Sequence, residues 1–391
     1  MARVALVSLS SVVSDPRVMR QYRALSSEHE VHVLGFGAPD PTMPHFTAID
    51  AVQPTIFSAV RNAGRLALRR YASYYARHPQ IQALEKALAK AGNDFDLVVA
   101  NDVFLLPAVL KWAQGTPVWL DAHEYAPREF EDRWAWRTLL GPFFHDVCAR
   151  YLSQAAAVST VCQGLANEYS AQYGVRVQVL PNCPDEVALP VQPTQPGVIR
   201  LIHHGAAIPS RRIELMIDLM DHLDERFQLD LMLVSQDTAY MNALRKRAAD
   251  QPRVRFVEPV PMQEIARRTN AYDMGLFLLP PTNFNYLHAL PNKFFEFMQA
   301  RLAIAIGPSP EMRALVEAHG CGVVSSSFQV EDLARTLNGL EAADIDRMKR
   351  ASDKAAQHFN ASATSAAFMA EVSELLASTS VLHVPPARPQ D

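Results

Sequence analysis

The strongest constraint on this chain is an alternation, run through twice, of short apolar stretches and helical patterns. Residues 4–9, 31–36, 97–100, 118–121, 156–160 and 177–180 read as strands. Helical patterns lie between them; in residues 16–25, Val18, Met19, Tyr22 and Leu25 share one side. Such an order requires a parallel sheet covered by helices on both faces. Residues 181–198 break the pattern: they are Pro-rich and aperiodic, and read as a linker. The scheme then restarts. Strands are predicted at 199–203, 229–234, 254–257, 274–279, 303–306 and 322–324, with helices over 210–225, 238–249, 261–270, 291–301, 309–318 and 328–340. The expected fold class is α/β, two Rossmann-like parallel-sheet domains, with ligand held outside the carboxyl ends of the strands.

Length agrees, since 391 residues exceed one typical core. The predicted division is 1–183, a linker at 184–198, a second domain at 199–355, a C-terminal helix over 356–378 and a flexible tail over 379–391. An apolar fraction of 49% with 20% charged residues fits a soluble globular enzyme. A net charge of −4 argues against nucleic-acid binding. Cys148, Cys162, Cys183 and Cys321 are scattered, so a reducing cytoplasm is the expected compartment. Residues 1–16 read as a first strand rather than a secretion signal, and no apolar run approaches the ~18 residues of a bilayer-crossing helix.

Chemistry concentrates around residues 288–311. Leu290-Pro291-Asn292 opens a helix, because a proline near the first turn loses no hydrogen bond. Phe294, Phe295, Phe297, Met298 and Leu302 make that helix apolar over a wide arc. Lys293 stands in its first turn, where the positive end of the helix dipole disfavours a cation but favours a bound anion. Glu296, one turn beyond Asn292, can accept hydrogen bonds from two vicinal hydroxyls. The pair suits a phosphate joined to a ribose.

Further candidates stand at the ends of predicted strands. Asp121-Ala122-His123-Glu124-Tyr125 follows an apolar run, where open α/β sheets collect active-site residues. His123 either caps a helix or acts in chemistry. Asp15 and Pro16 are good helix-start residues, so capping can explain both, and Arg17 is mismatched to the dipole. No Gly-x-Gly-x-x-Gly follows the first strand, so a nicotinamide site has little support. His203-His204-Gly205 ends a strand; Gly205 lets backbone approach a ligand, and Arg211 or Arg212 can grip phosphate oxygens. Adjacent strand histidines point oppositely, and with no third ligand nearby no metal is expected. Arg61, Arg65 and Arg69 recur every four residues, with Arg70, Arg77 and three tyrosines close by and no acid between Asp50 and Glu85. That segment is a solvated helix face, or a surface for an anionic membrane or a lipid-diphosphate acceptor.

Pro291-Asn292-Lys293-Phe294-Phe295-Glu296, Asp121-Ala122-His123-Glu124 and His203-His204-Gly205 with its following arginines, in this order, resemble the GT-B glycosyltransferases of the large retaining group called family 4, in the form common among polysaccharide-assembly enzymes. The resemblance implies that Glu296 holds the donor ribose, that Lys293 and Arg211 or Arg212 bind the diphosphate, that Asn292 and Gly205 belong to the donor site, and that residues 254–261 line the nucleobase pocket. Text similar to Asp15-Pro16-Arg17 faces the cleft in the family, which makes cleft lining by Asp15 and Arg17 the alternative to capping. It places His123 beside the transferred sugar and implies retention without a metal or other cofactor; Glu124 is the candidate base if the reaction inverts. It implies a last helix crossing back to the first domain. Departures are His288, where the family usually has a second Glu, Ala206 in place of an Arg after the glycine, and Val234-Ser235-Gln236, where the family has glycines. The expected activity is transfer of a sugar from a nucleoside diphosphate sugar to a hydroxyl acceptor in glycan, exopolysaccharide or lipid-linked oligosaccharide assembly. The expected place is the cytoplasm, peripheral on the inner face of the membrane. A UDP-sugar epimerase and a non-catalytic subunit of an assembly complex are the alternatives.

Overall fold

The computed structural model describes residues 1–382 except Pro39, Pro54 and Gln236, with only the backbone for 379–382. Two compact units divide the chain: residues 1–181 together with those from Ser365 onward, and residues 182–364.

In the first unit β1 (Arg3–Ser11), β2 (Glu30–Phe36), β3 (Phe46–Ala48), β4 (Leu97–Asn101), β5 (Val118–Asp121), β6 (Ala157–Thr160) and β7 (Gln178–Val179) form one sheet. Their order is β3-β2-β1-β4-β5-β6-β7, and every pairing is parallel. Val4, Ala5, Leu6 and Val7 are all inaccessible to solvent, so β1 is covered on both faces. That is why these strands read as unbroken apolar runs rather than alternating ones. Leu6, Val33, Val99 and Trp119 share a core with Phe368 and Val372 of the last helix, Ala361–Leu382. Phe368 stands 4.6 Å from Trp119, centroid to centroid. Each such side chain contributes roughly 1.5–3 kcal/mol on burial.

The second unit holds β8 (Ile199–Ala206), β9 (Phe227–Val234), β10 (Val254–Phe256), β11 (Met274–Phe277), β12 (Ala303–Ile306) and β13 (Gly322–Val324). The order β10-β9-β8-β11-β12-β13 is again wholly parallel. Strand order reverses beside β1 in one sheet and beside β8 in the other, which opens a crevice at their carboxyl ends. The Asn292–Gln299 helix is anchored by Phe297, whose ring covers the backbone of Gly275 on β11. A Cβ at Gly275 would lie 2.3 Å from that ring, so only glycine permits the approach.

Several elements differ from expectation. The helix predicted over 210–225 is a Pro209–Arg211 turn followed by Glu214–Leu219, because Arg212 between them is left-handed at φ 52°. Residues 261–270 likewise shorten to a Met262–Glu264 turn and the Ile265–Thr269 helix. The strand β3 and the Ala342–Ala356 helix were not anticipated. The arginine-bearing helix runs Ile56–Ala67 and stops before Arg69, itself left-handed at φ 51°. The Pro-rich stretch is strapped to the second unit: Val187 N donates to Gln299 Oε1 at 3.1 Å, Asn270 Nδ2 to Pro190 O at 3.0 Å, and Thr194 N to Asp346 Oδ1 at 2.8 Å. Of the predicted tail, residues 383–391 lie outside the described ones, and the last helix runs to Leu382.

Candidate active site

At the carboxyl edge of the second sheet, Gly205 on β8 has φ +116°, a conformation that L side chains rarely adopt. The position of its missing Cβ lies 3.3 Å from Lys293 Nζ, so glycine keeps open the space that the ammonium occupies. Pro291 is the N-cap of the Asn292–Gln299 helix, which puts Lys293 in the first turn and half-buried Asn292 just before it. Lys293 is buried, 3.3 Å from His203 Nε2 and 4.5 Å from the centroid of the Phe277 ring. The proton on His203 can be placed by its partners. Leu276 O, 2.9 Å from Nδ1, only accepts, so Nδ1 carries the hydrogen and Nε2 receives one from Lys293. Burial and then Lys293 hold His203 well below the ordinary histidine range, which keeps it neutral. Burial and then the neighbouring Arg211 push Lys293 well below the ordinary lysine range, against a smaller opposing pull from Glu296.

Glu296 is buried one turn on, its Oε2 3.6 Å from His204 Nε2. Burial and Lys293 lower His204 to about 3, so it too is neutral. The structure separates the two arginines. Arg211 Nη1 turns back to Ala206 O at 3.2 Å, and its charge is felt at Lys293 and His203. Arg212 faces Glu214 at 3.3 Å on a half-exposed side chain. His288, at the end of the Phe284–Leu287 helix, has Nδ1 2.9 Å from Glu311 Oε1 in the first turn of Pro310–His319. A carboxylate therefore stands beside His288, supplied from another helix. A pocket of about 400 Å³ opens at the ends of β9 and β10, walled by Leu233, Met241, Phe256 and Glu258, with Arg245 over the Phe256 ring at 4.8 Å.

The first sheet's carboxyl edge is wired differently. Asp121, at the end of β5, is fully buried. Arg17 donates to both of its oxygens, Nε to Oδ2 at 2.6 Å and Nη2 to Oδ1 at 2.7 Å, and also to Leu180 O. Gln21 Nε2 and Ser159 Oγ complete the shell at 2.6 and 2.8 Å. Burial would raise the Asp121 carboxyl, but Arg17 and His123, through charge and hydrogen bonding together, outweigh it and hold the group far below the usual carboxylate range. Arg17 is thus an internal partner of Asp121, and Asp15 is the N-cap, its Oδ1 accepting from the amides of Arg17 and Val18.

His123 is half-buried, with Nε2 3.1 Å from Asn101 Oδ1 and 3.5 Å from Asp121 Oδ2. Burial works to lower it; hydrogen bonding and attraction to Asp121 prevail and raise it. Glu124 is exposed, and its carbonyl accepts from Tyr169. Two neighbours had escaped the sequence reading. Asp102, directly after β4, holds φ 91° and ψ 149°, a strained conformation for a residue with a side chain. Glu129 is raised to about 8 by burial and then by Asp102 and Glu124. The available signal was position alone, and for Asp102 only: it directly follows an apolar run, whereas Glu129 lies eight residues beyond the end of β5. Among the described residues no cluster of three or more His, Cys, Asp or Glu side chains could hold a metal, and no helix is long and apolar enough to cross a membrane.

Residues 14–183 match a family model described as a glycosyl transferase 4-like domain. Among solved structures, the chain superposes on sucrose-phosphate synthase from Thermosynechococcus elongatus with a TM-score of 0.74 at 12% identity, covering 97% of this chain and 100% of that one. Anabaena HepE in complex with UDP-glucose gives 0.69 at 13%, covering 96% and 100%. An α,α-trehalose-phosphate synthase (UDP-forming) from Burkholderia vietnamiensis gives 0.66 at 11%, covering 97% and 100%. Comparison with curated protein sequences finds no match. At these identities the likeness is one of fold.

Proposed function

We propose that this chain, GT-B in fold and with a glycosyl transferase 4-like stretch over residues 14–183, is a glycosyltransferase that moves a sugar from a nucleoside diphosphate sugar to a hydroxyl acceptor. The observation that carries the reading is the buried Lys293 ammonium above Gly205, drawn down by burial and by Arg211. A pyrophosphate at this helix start would meet the ammonium and the positive dipole end together. As the glycosidic bond breaks, Lys293 and Arg211 stabilise charge on the departing diphosphate, and in such sites this electrostatic effect commonly does most to lower the barrier. Glu296 takes the ribose hydroxyls. The pocket beside Phe256 and Glu258 takes the base. UDP is the first nucleotide to try, because HepE was solved with UDP-glucose and with UDP.

His123, its imidazole biased toward the protonated form by Asp121, orients the transferred sugar or shares the acceptor's proton. With retention, a donor phosphate oxygen takes the acceptor proton and no side-chain base is needed. Cationic side chains do the work that a metal does elsewhere. The acceptor is a glycan or lipid-linked saccharide, met at the inner face of the cytoplasmic membrane.

Thermal denaturation with UDP, GDP and CMP and their sugars tests donor binding, since a ligand at a hundredfold excess over its Kd raises stability by about 2.7 kcal/mol. Glu296→Ala should shrink the shift. His123→Ala should leave it and abolish transfer. A shift untouched by Glu296→Ala defeats the assignment. UDP released from UDP-sugars without any acceptor would indicate epimerase chemistry instead, and no release at all a non-catalytic subunit.

A further inference from the structure

In an ordinary surface helix the apolar row faces the core and the polar side faces water. The Ile56–Ala67 helix is inverted. Ile56, Val60, Gly64 and Leu68 form a row spaced by four, on the opposite side from the buried Asn62 and Leu66. Ile56 is 87% exposed and Phe57 71%. Open space surrounds Gly64. The next row is Phe57, Arg61, Arg65 and then Arg69, with the Arg61 guanidinium 5.4 Å from the Phe57 ring. Beside this helix the chain turns through the Trp136–Leu140 segment, which packs on it. Just before that segment Trp134 is 69% exposed, next to exposed Arg133. Acids here are Glu131, paired with Arg128, and exposed Asp132; none occurs from Val52 to Leu84.

An outward apolar row, an exposed tryptophan and a flanking row of arginines are what a helix needs to lie in the headgroup layer of a bilayer: the apolar residues enter the acyl boundary, and the arginines meet phosphates. We propose that this face of the first unit docks on an anionic phospholipid surface. The charge selects the occupant, because a run of arginines without acids fits lipid phosphates better than it fits a second copy of itself. Lying in the surface plane needs no crossing helix.

The test is sedimentation of the full chain with phosphatidylcholine vesicles, with and without phosphatidylglycerol, in the absence of donor and acceptor, so that its result is separate from that of the transferase reading. Binding should require phosphatidylglycerol and weaken with added salt. Arg61→Gln with Arg69→Gln, both exposed, should reduce partitioning roughly thirtyfold, at about 1 kcal/mol per arginine. Phe57→Ser with Val60→Ser should reduce it at least tenfold, and their exposure means both pairs should melt close to the parent. Equal binding to neutral vesicles, or retention of binding by either double variant, overturns the proposal. So does a dimer in sedimentation velocity that dissolves on Phe57→Ser, which would assign the face to a second copy.

Discussion

The carboxyl edges of the two sheets share a topology and treat charge in opposite ways. At the first, Arg17 and Asp121 close on each other with both oxygens engaged, and Gln21 and Ser159 fill what remains. At the second, Lys293 is buried against a neutral imidazole and an aromatic face, with another cation near enough to repel it. One edge is electrostatically complete; the other is short of an anion. Burying a charge is costly unless it is matched, so the incomplete edge is where an anionic ligand gains most. The family-model match falls wholly on the first unit and its junction with the second, and stops before the residues that hold the cation.

The contrast can be broken by substitution. Arg17→Met strands a buried carboxylate and should cost about 3–5 kcal/mol in chemical denaturation, while the nucleotide-induced shift persists; an unchanged midpoint would mean the first edge is not held by this pair. Lys293→Ala should lower acceptor-dependent UDP release from a UDP-sugar by roughly 10²–10³-fold, with a smaller loss of stability, and a rate within a few-fold of the parent would remove the basis of the comparison. Glu129 sharpens it. Its folded carboxyl titrates at about 8 against 4.5 when free, so the folded state holds the proton more tightly. Stability should fall as pH rises from about 4.5 to 8 and then level off. Glu129→Gln should flatten that limb and stabilise the protein at pH 8 by about 1–2 kcal/mol; a parallel pH profile for the two proteins would count against it. The smallest effect is at Lys293, whose depressed affinity for a proton a bound pyrophosphate must restore. Donor binding should take up a fraction of a proton, and affinity should fall as pH rises through the free protein's Lys293 transition. Calorimetry in two buffers of different ionisation enthalpy would detect it; identical heats would contradict it.

Legibility followed the range of the interactions. Strands buried on both faces announce themselves as apolar runs, and all but β3 were readable; in β3 the one buried residue is Thr47, so no apolar run marks it. The Ala342–Ala356 helix was missed because its inward face includes Lys349 and Ser352, which local pattern counts as outward. Lys349 is tolerated inside because Asp273 stands 3.2 Å away, and nothing near it in sequence reveals that. Arg17 was legible as a dipole-mismatched cation. Its partner lies 104 residues on, so the choice between capping, pairing and cleft lining could not be made locally. Gly205 and Lys293 were legible as types suited to a phosphate, while the His203 imidazole that joins them needed the fold. Arg211 and Arg212 were separable only once Arg212 was seen to be left-handed.

Phe368 and Val372 lie in the same core as Leu6 and Trp119. The first unit is therefore assembled from two stretches, one on each side of residues 182–364, which are contiguous. During translation the later unit can finish first. The earlier one must wait on the ribosome, its Trp119 surface uncovered, until the residues after Ser365 have emerged.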